Sequence, residues 1–174
     1  MYEKDLGEYN LDDDQSLAFY SGGWREGDNS LSTSDHPREI TASNFEFYDE
    51  MITRLADRNI FPNLKTIVFT GHSAGGQVVN RYAAGTRVPD TILRKEGIHI
   101  RFVVANPSSY VYFTPERHVA GTLDQFAIPD SIEFEKAPEY NHYKHGLDNL
   151  NEYMSMVGKE QIQLQYQRRE VFYL

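Results

Sequence analysis

The sequence predicts an α/β domain with a mostly parallel sheet and helices on both faces. Three observations carry the prediction. Two β-branched runs, LKTIVFT at 64–70 and IHIRFVVA at 98–105, read as buried strands. Apolar residues at spacings of three and four lie before, between and after them. A glycine-rich junction, GHSAGG at 71–76, joins the first run directly to a helical pattern. Strands that alternate with helices pair in parallel through right-handed crossovers.

Residues 1–16 are polar and read as a solvated tail, with Asp12, Asp13 and Asp14 too poorly spaced for a calcium loop. Leu17–Tyr20 is a short apolar run ended by Ser21-Gly22-Gly23 and is expected to be a strand entering a turn. Mostly loop is expected over 21–42. Ser43-Asn44-Phe45-Glu46 is a capping-box signature, and Phe45, Tyr48, Ile52 and Leu55 then form one apolar stripe that Pro62-Asn63 closes. After the junction, Val78, Val79, Tyr82 and Ala83 keep helical spacing. The second strand ends in the turn cluster Asn106-Pro107-Ser108-Ser109. Residues 114–144 have no clean period and are expected to be an irregular excursion. A helix over 146–156, with Leu147, Leu150, Tyr153 and Met154 on one side, and a strand at 171–174 complete the expected order.

One core, and hence one domain over 17–174, is what 174 residues with 40% hydrophobic content support. The formal net charge of -9 supplies no basic face for nucleic acid or anionic membranes, so a small, weakly charged substrate is the expected partner. The absence of cysteine excludes disulfides, thiolate zinc sites and a cysteine nucleophile. No cofactor or metal is expected. The N-terminal stretch has no apolar segment of the secretory kind, and no run reaches membrane-spanning length, so a cytoplasmic location is the default expectation.

Gly71-His72-Ser73-Ala74-Gly75 fits the pattern G-x-S-x-G in the strand-to-helix setting that gives the pattern meaning. Ser73 on a sharp turn is a candidate nucleophile, and the Ala74 N–H at the following helix start is a candidate oxyanion donor. The glycines are expected to relieve collisions that a Cβ would make against neighbouring backbone. His72 is adjacent to Ser73 and should leave the turn in another direction, so it reads as an orienting or pocket residue. Trp24, Ser108 and Tyr110 follow strand runs and are further pocket candidates. A nucleophilic serine needs a histidine base held by a carboxylate. Order along the chain would permit Asp130 and His142; His145, Asp124 and Asp148 are nearby in sequence.

FPNLKTIVFTGHSAGGQVVNRYAA, with IRFVVANPSSYVYF and YNHYKHGLDNLNEYM downstream, resembles the serine hydrolases of the α/β-hydrolase superfamily, in particular an uncharacterised fungal and bacterial subgroup. The likeness spans roughly 17–174. It implies an esterase-like enzyme with Ser73 as nucleophile, Ala74 as oxyanion donor and the strand before Ser73 at the centre of the sheet. It also implies a partial domain, because in that superfamily the acid and histidine follow later strands and the second oxyanion donor follows an earlier one. From the resemblance two expectations follow: a weakly active serine hydrolase acting on an ester or similar acyl substrate, or an inactive hydrolase-derived module that binds or self-associates through its sheet edges.

Overall fold

A computed structural model of the chain describes residues 3–9 and 16–174. It is an α/β structure around a three-stranded parallel sheet of β1 (Thr66–His72), β2 (His99–Ala105) and β5 (Glu170–Tyr173), in the order β1-β2-β5. Helix α3 (Ala74–Gly85) leads from β1 through a π-helical turn at Pro89–Leu93 and a single α turn, α4 (Arg94–Glu96), into β2. The connection from β2 to β5 holds a small antiparallel pair, β3 (Arg117–His118) and β4 (Phe126–Ala127), and then α5 (Ser131–Lys136), α6 (Glu152–Ser155) and α7 (Lys159–Tyr166). Before the sheet come α1 (Glu3–Glu8), a 3-10 turn at Gly23–Arg25 and α2 (Asn44–Leu55).

The helices cover one face of the sheet, not two. Register explains which residues they cover. Ile67 pairs with Ile100, Phe69 with Phe102 and Val171, and Gly71 with Val104 and Tyr173, forming the row beneath the helices. Phe102 and Val104 are fully buried there. The alternate row, Val68 beside Arg101 and Glu170, then Thr70 beside Val103 and Phe172, faces outward; Val68 is 56% exposed and Phe172 50%. The cause is topological. Strand order follows chain order without reversal, so two right-handed crossovers in succession put their helices on the same side. Parallel sheets are ordinarily covered on both faces, and alternation cannot tell a strand covered on both sides from one covered on a single side when β-branched residues fill both rows.

The capping box at Ser43 forms as the sequence predicts. Its hydroxyl accepts from the Phe45 N–H, and the Glu46 carboxylate accepts from the Ser43 N–H at 2.8 Å. Helix α2 then lays Phe45 and Ile52 into the core. Phe45 meets Tyr82 of α3 and Tyr153 of α6 edge to face at 5.5 and 5.3 Å, and Phe69 of β1 lies 4.9 Å from Tyr82. Asp49, on the same helix, ties these elements by accepting hydrogen bonds from the Tyr82, Thr86 and Tyr153 hydroxyls at 2.7, 2.8 and 2.7 Å. Burial, and then the Asp49 charge, holds both tyrosine hydroxyls well above the ordinary phenol range, so they act only as donors.

Several sequence expectations are corrected. The strand before Ser73, β1, is an edge strand, and β2 takes the central place that the resemblance implied for it. Leu17–Tyr20 is not a strand: Ala18 and Phe19 are buried as a plug, and the Ala18 carbonyl accepts from the Leu31 N–H without any ladder. The first residues are more than a solvated tail, because α1 buries Leu6 to 2% exposure. The Asp12–Asp14 run lies outside the described residues. Helix is confined to α6 within 146–156, since Asn151 caps Met154 and the preceding residues turn back on themselves. Helix α7, absent from the sequence reading, buries Ile162 and Gln165. The excursion is more regular than expected, with the β3-β4 pair and α5 inside it. Among the described residues no helix is long and apolar enough to cross a membrane.

Candidate functional site

Strand β1 runs straight into Ser73, and α3 begins at the next residue. Ser73 sits at φ 54° and ψ -116°, a region that a β-carbon makes costly by about 1–3 kcal/mol. Fixed neighbours hold it there. Its N–H donates to the Ala105 carbonyl at the end of β2 (2.9 Å), and its carbonyl accepts from the Gln77 N–H (3.1 Å). The side chain is exposed and makes no capping hydrogen bond. Its hydroxyl therefore stands free at the carboxyl ends of the parallel strands, where α/β sheets gather their ligands.

The steric requirement falls on one of the two glycines the motif suggests and on a third that lies outside it. A Cβ at Gly71 would meet the Gly75 backbone at 2.4 Å, so the expected collision is present there. At Gly75, the second glycine of the pattern, a Cβ would meet nothing within 4 Å. The other collision belongs to Gly76, where a Cβ would lie 2.6 Å from the Ala105 carbonyl oxygen. The bend is tight because β1 and α3 touch at Gly71 and Gly75, and because α3 and the end of β2 touch at Gly76.

Ala74 is the first residue of a 12-residue helix, so its N–H has no intrahelical acceptor and lies beside Ser73 at the positive end of the helix dipole. Across the rim, Asn106 adopts φ 42° and donates its N–H to the Leu174 carbonyl at 3.0 Å, bringing the loops after β1, β2 and β5 to one edge.

Beneath the rim, the buried Gln77 side chain donates to the Ser108 hydroxyl at 2.7 Å and accepts from the Ser109 hydroxyl at 3.1 Å. Arg81, fully buried one turn further, donates to Ser109 and to the Lys144 carbonyl, and Lys144 forms an ion pair with Glu26 at 2.6 Å. Desolvation is the largest influence on the Arg81 guanidinium and lowers its affinity for a proton, although arginine remains charged. Nothing in the sequence points to Gln77, Arg81 or Asn106 beyond their places, the first two one turn apart on α3 and the third before a proline.

The sequence-derived candidates divide accordingly. Ser108 is at the rim with its hydroxyl engaged by Gln77. Tyr110 is 40% exposed and packs on Tyr173 with ring centroids 5.8 Å apart. Trp24 lies in the 3-10 turn, half-buried against the core, with its carbonyl accepting from Asn44. His72 ends β1 exposed on the outward row of the sheet, away from the helix side. Asp130 is the N-cap of α5, accepting from the Ile132 and Glu133 N–H groups at 2.9 Å each. His142 has the Asn149 amide at 3.2 Å. Asp148 accepts from Lys159 and Asn141, whose hydrogen bonds hold its carboxyl below the usual range. His145 is held below the ordinary histidine range by desolvation and then by the Lys144 and Arg81 charges. Among the described residues no hydrogen bond joins Ser73 to a histidine or carboxylate. Nor does any group of three or more His, Asp or Glu among them have the arrangement to hold a metal ion.

Compared with protein-family models, curated proteins and solved structures, the chain finds no counterpart among any of the three.

Proposed function

We propose that this protein is a serine hydrolase acting on an ester or similar acyl substrate, with Ser73 as the nucleophile. The backbone of Ser73 carries the reading: a non-glycine residue at φ 54° and ψ -116° between a parallel strand and a helix, with its hydroxyl exposed. Strain of that size persists only where the surroundings enforce it, and it clusters at functional sites. In the proposed reaction the Ser73 oxygen adds to the acyl carbon, its proton leaves to a base, and the carbonyl oxygen gains the negative charge beside the Ala74 N–H. One such donor contributes about 2.7–4 kcal/mol to the transition state. Collapse of the adduct expels the alcohol, and water then releases the acid.

No described imidazole is hydrogen-bonded to Ser73, so the hydroxyl is a poor nucleophile at neutral pH and turnover by this chain is expected to be slow. Labelling with a fluorophosphonate probe, followed by mass mapping, is the direct test. Labelling confined to Ser73, with loss of both labelling and p-nitrophenyl ester turnover in Ser73→Ala, supports the reading; a folded chain that remains unlabelled after prolonged exposure removes it.

The outward sheet face and the edge of β1, unpaired among the described residues, favour a second reading, a hydrolase-derived module that associates through its sheet. That reading expects no labelling, together with a concentration-dependent rise in mass by sedimentation.

A further inference from the structure

At the amino ends of β2 and β5, the edge opposite Ser73, a cleft of about 290 Å³ opens between α4, the start of β2 and the turn before β5. Since β2 has seven residues, this cleft lies roughly 20 Å from the Ser73 rim. Arg94, Arg168 and Arg169 line it, with Asp90 and Glu170 as its carboxylates.

Both carboxylates are already committed. Asp90 accepts from Arg169 at 2.7 Å, and Glu170 accepts from Arg101, outside the cleft, at 2.8 Å. Arg169 is fixed in the wall, with its side chain only 5% exposed and a second hydrogen bond to the Thr86 carbonyl at 2.8 Å. Desolvation disfavours its charge and the Asp90 carboxylate offsets this, so the wall itself is close to neutral. Arg94 and Arg168 have no such partner: among the described residues neither makes an ion pair or a side-chain hydrogen bond. Two uncompensated guanidiniums thus share one concavity in a chain whose formal net charge is -9.

A guanidinium is a planar fork that matches an oxyanion with two parallel hydrogen bonds. Of the remaining lining, Ile98 is buried, Pro89 and Ile100 add hydrocarbon, and Gly97 and the exposed His99 complete it. Guanidiniums and hydrocarbon in one cleft fit an anionic group on an apolar body. We propose that this cleft binds a small organic oxyanion, a phosphate or carboxylate carried on an apolar group, with Arg94 and Arg168 as its ligands and Arg169 as the fixed wall.

Calorimetric titration of the full chain with phenyl phosphate and, separately, with benzoate tests the proposal. Saturable binding of at least one is expected, weakened about tenfold or more in the Arg94→Gln/Arg168→Gln double variant. The order of the two affinities says whether phosphate or carboxylate is preferred. Both arginines are exposed, so the double variant should unfold at the wild-type temperature, and Arg94→Lys/Arg168→Lys should bind with intermediate affinity because charge remains while the fork is lost. Failure of both probes to saturate, or equal affinity in wild type and the Gln double variant, would overturn the proposal.

Discussion

Adding a methyl group at Gly75 and, separately, at Gly76 distinguishes the physical requirement at the bend from the letters of the motif. At Gly76 the new Cβ would stand 2.6 Å from the Ala105 carbonyl oxygen and 3.3 Å from Pro107. Reaching ordinary contact at 3.4 Å means moving α3 and the end of β2 apart by about 0.8 Å. Ala105 cannot yield freely, because its carbonyl also accepts from Ser73 and its strand pairs on both sides. Overpacking of this kind costs about 1–3 kcal/mol. At Gly75 there is open space, and replacing a helical glycine there restricts the unfolded chain, a gain of about 0.4–1 kcal/mol. Gly75→Ala and Gly76→Ala should therefore differ in stability by about 1.5–4 kcal/mol, with the motif glycine as the tolerant one. Urea unfolding monitored through Trp24 fluorescence, with m-values compared, measures the difference. Equal midpoints for the two variants, or a Gly75→Ala variant less stable than Gly76→Ala, would refute the assignment of the close approach to Gly76.

Asp49→Ala removes the acceptor of three hydroxyls, two of them on tyrosines that are 0% and 2% exposed, so a loss of about 3–6 kcal/mol is expected by urea unfolding. Asp49→Asn, which keeps one oxygen acceptor, should lose less than Asp49→Ala. Asp130→Ala should lose about 1 kcal/mol through the α5 cap, while the rate of fluorophosphonate labelling at Ser73 stays unchanged; a large fall in that rate would make Asp130 part of the site. The lowered pKa of His145 means that the unfolded chain binds this proton more readily than the folded one. Stability from this group is thus complete above the ordinary value of 6.5 and declines as pH falls toward the depressed folded value. His145→Gln should lose less stability than wild type between about pH 8 and about pH 5, measured as the shift in urea midpoint.

Much of the local structure is legible along the chain. The Ser43 capping box, the β1 and β2 runs and the strand-to-helix junction at Ser73 each depend on neighbours within a few residues, so their chemistry is visible in order. Leu17–Tyr20 misleads because an apolar run marks burial, and burial of Phe19 needs no sheet partner. Asn151 hides the end of a false helix: the spacing of Leu147 and Leu150 continues into α6, but a side-chain cap starts the helix late.

The sequence by itself determined the parallel strands, the helix that follows Ser73, and the need for a cramped turn between them, since propensity, spacing and capping are properties of adjacent residues. Tertiary structure alone decided the rest. It placed Ala105 against Gly76, made Gly75 dispensable on steric grounds, put every crossover helix on one face, and brought Arg94 and Arg168 to one cleft. Each of these is a meeting of segments tens of residues apart, fixed by strand order and the handedness of the connections, and no local spacing encodes it.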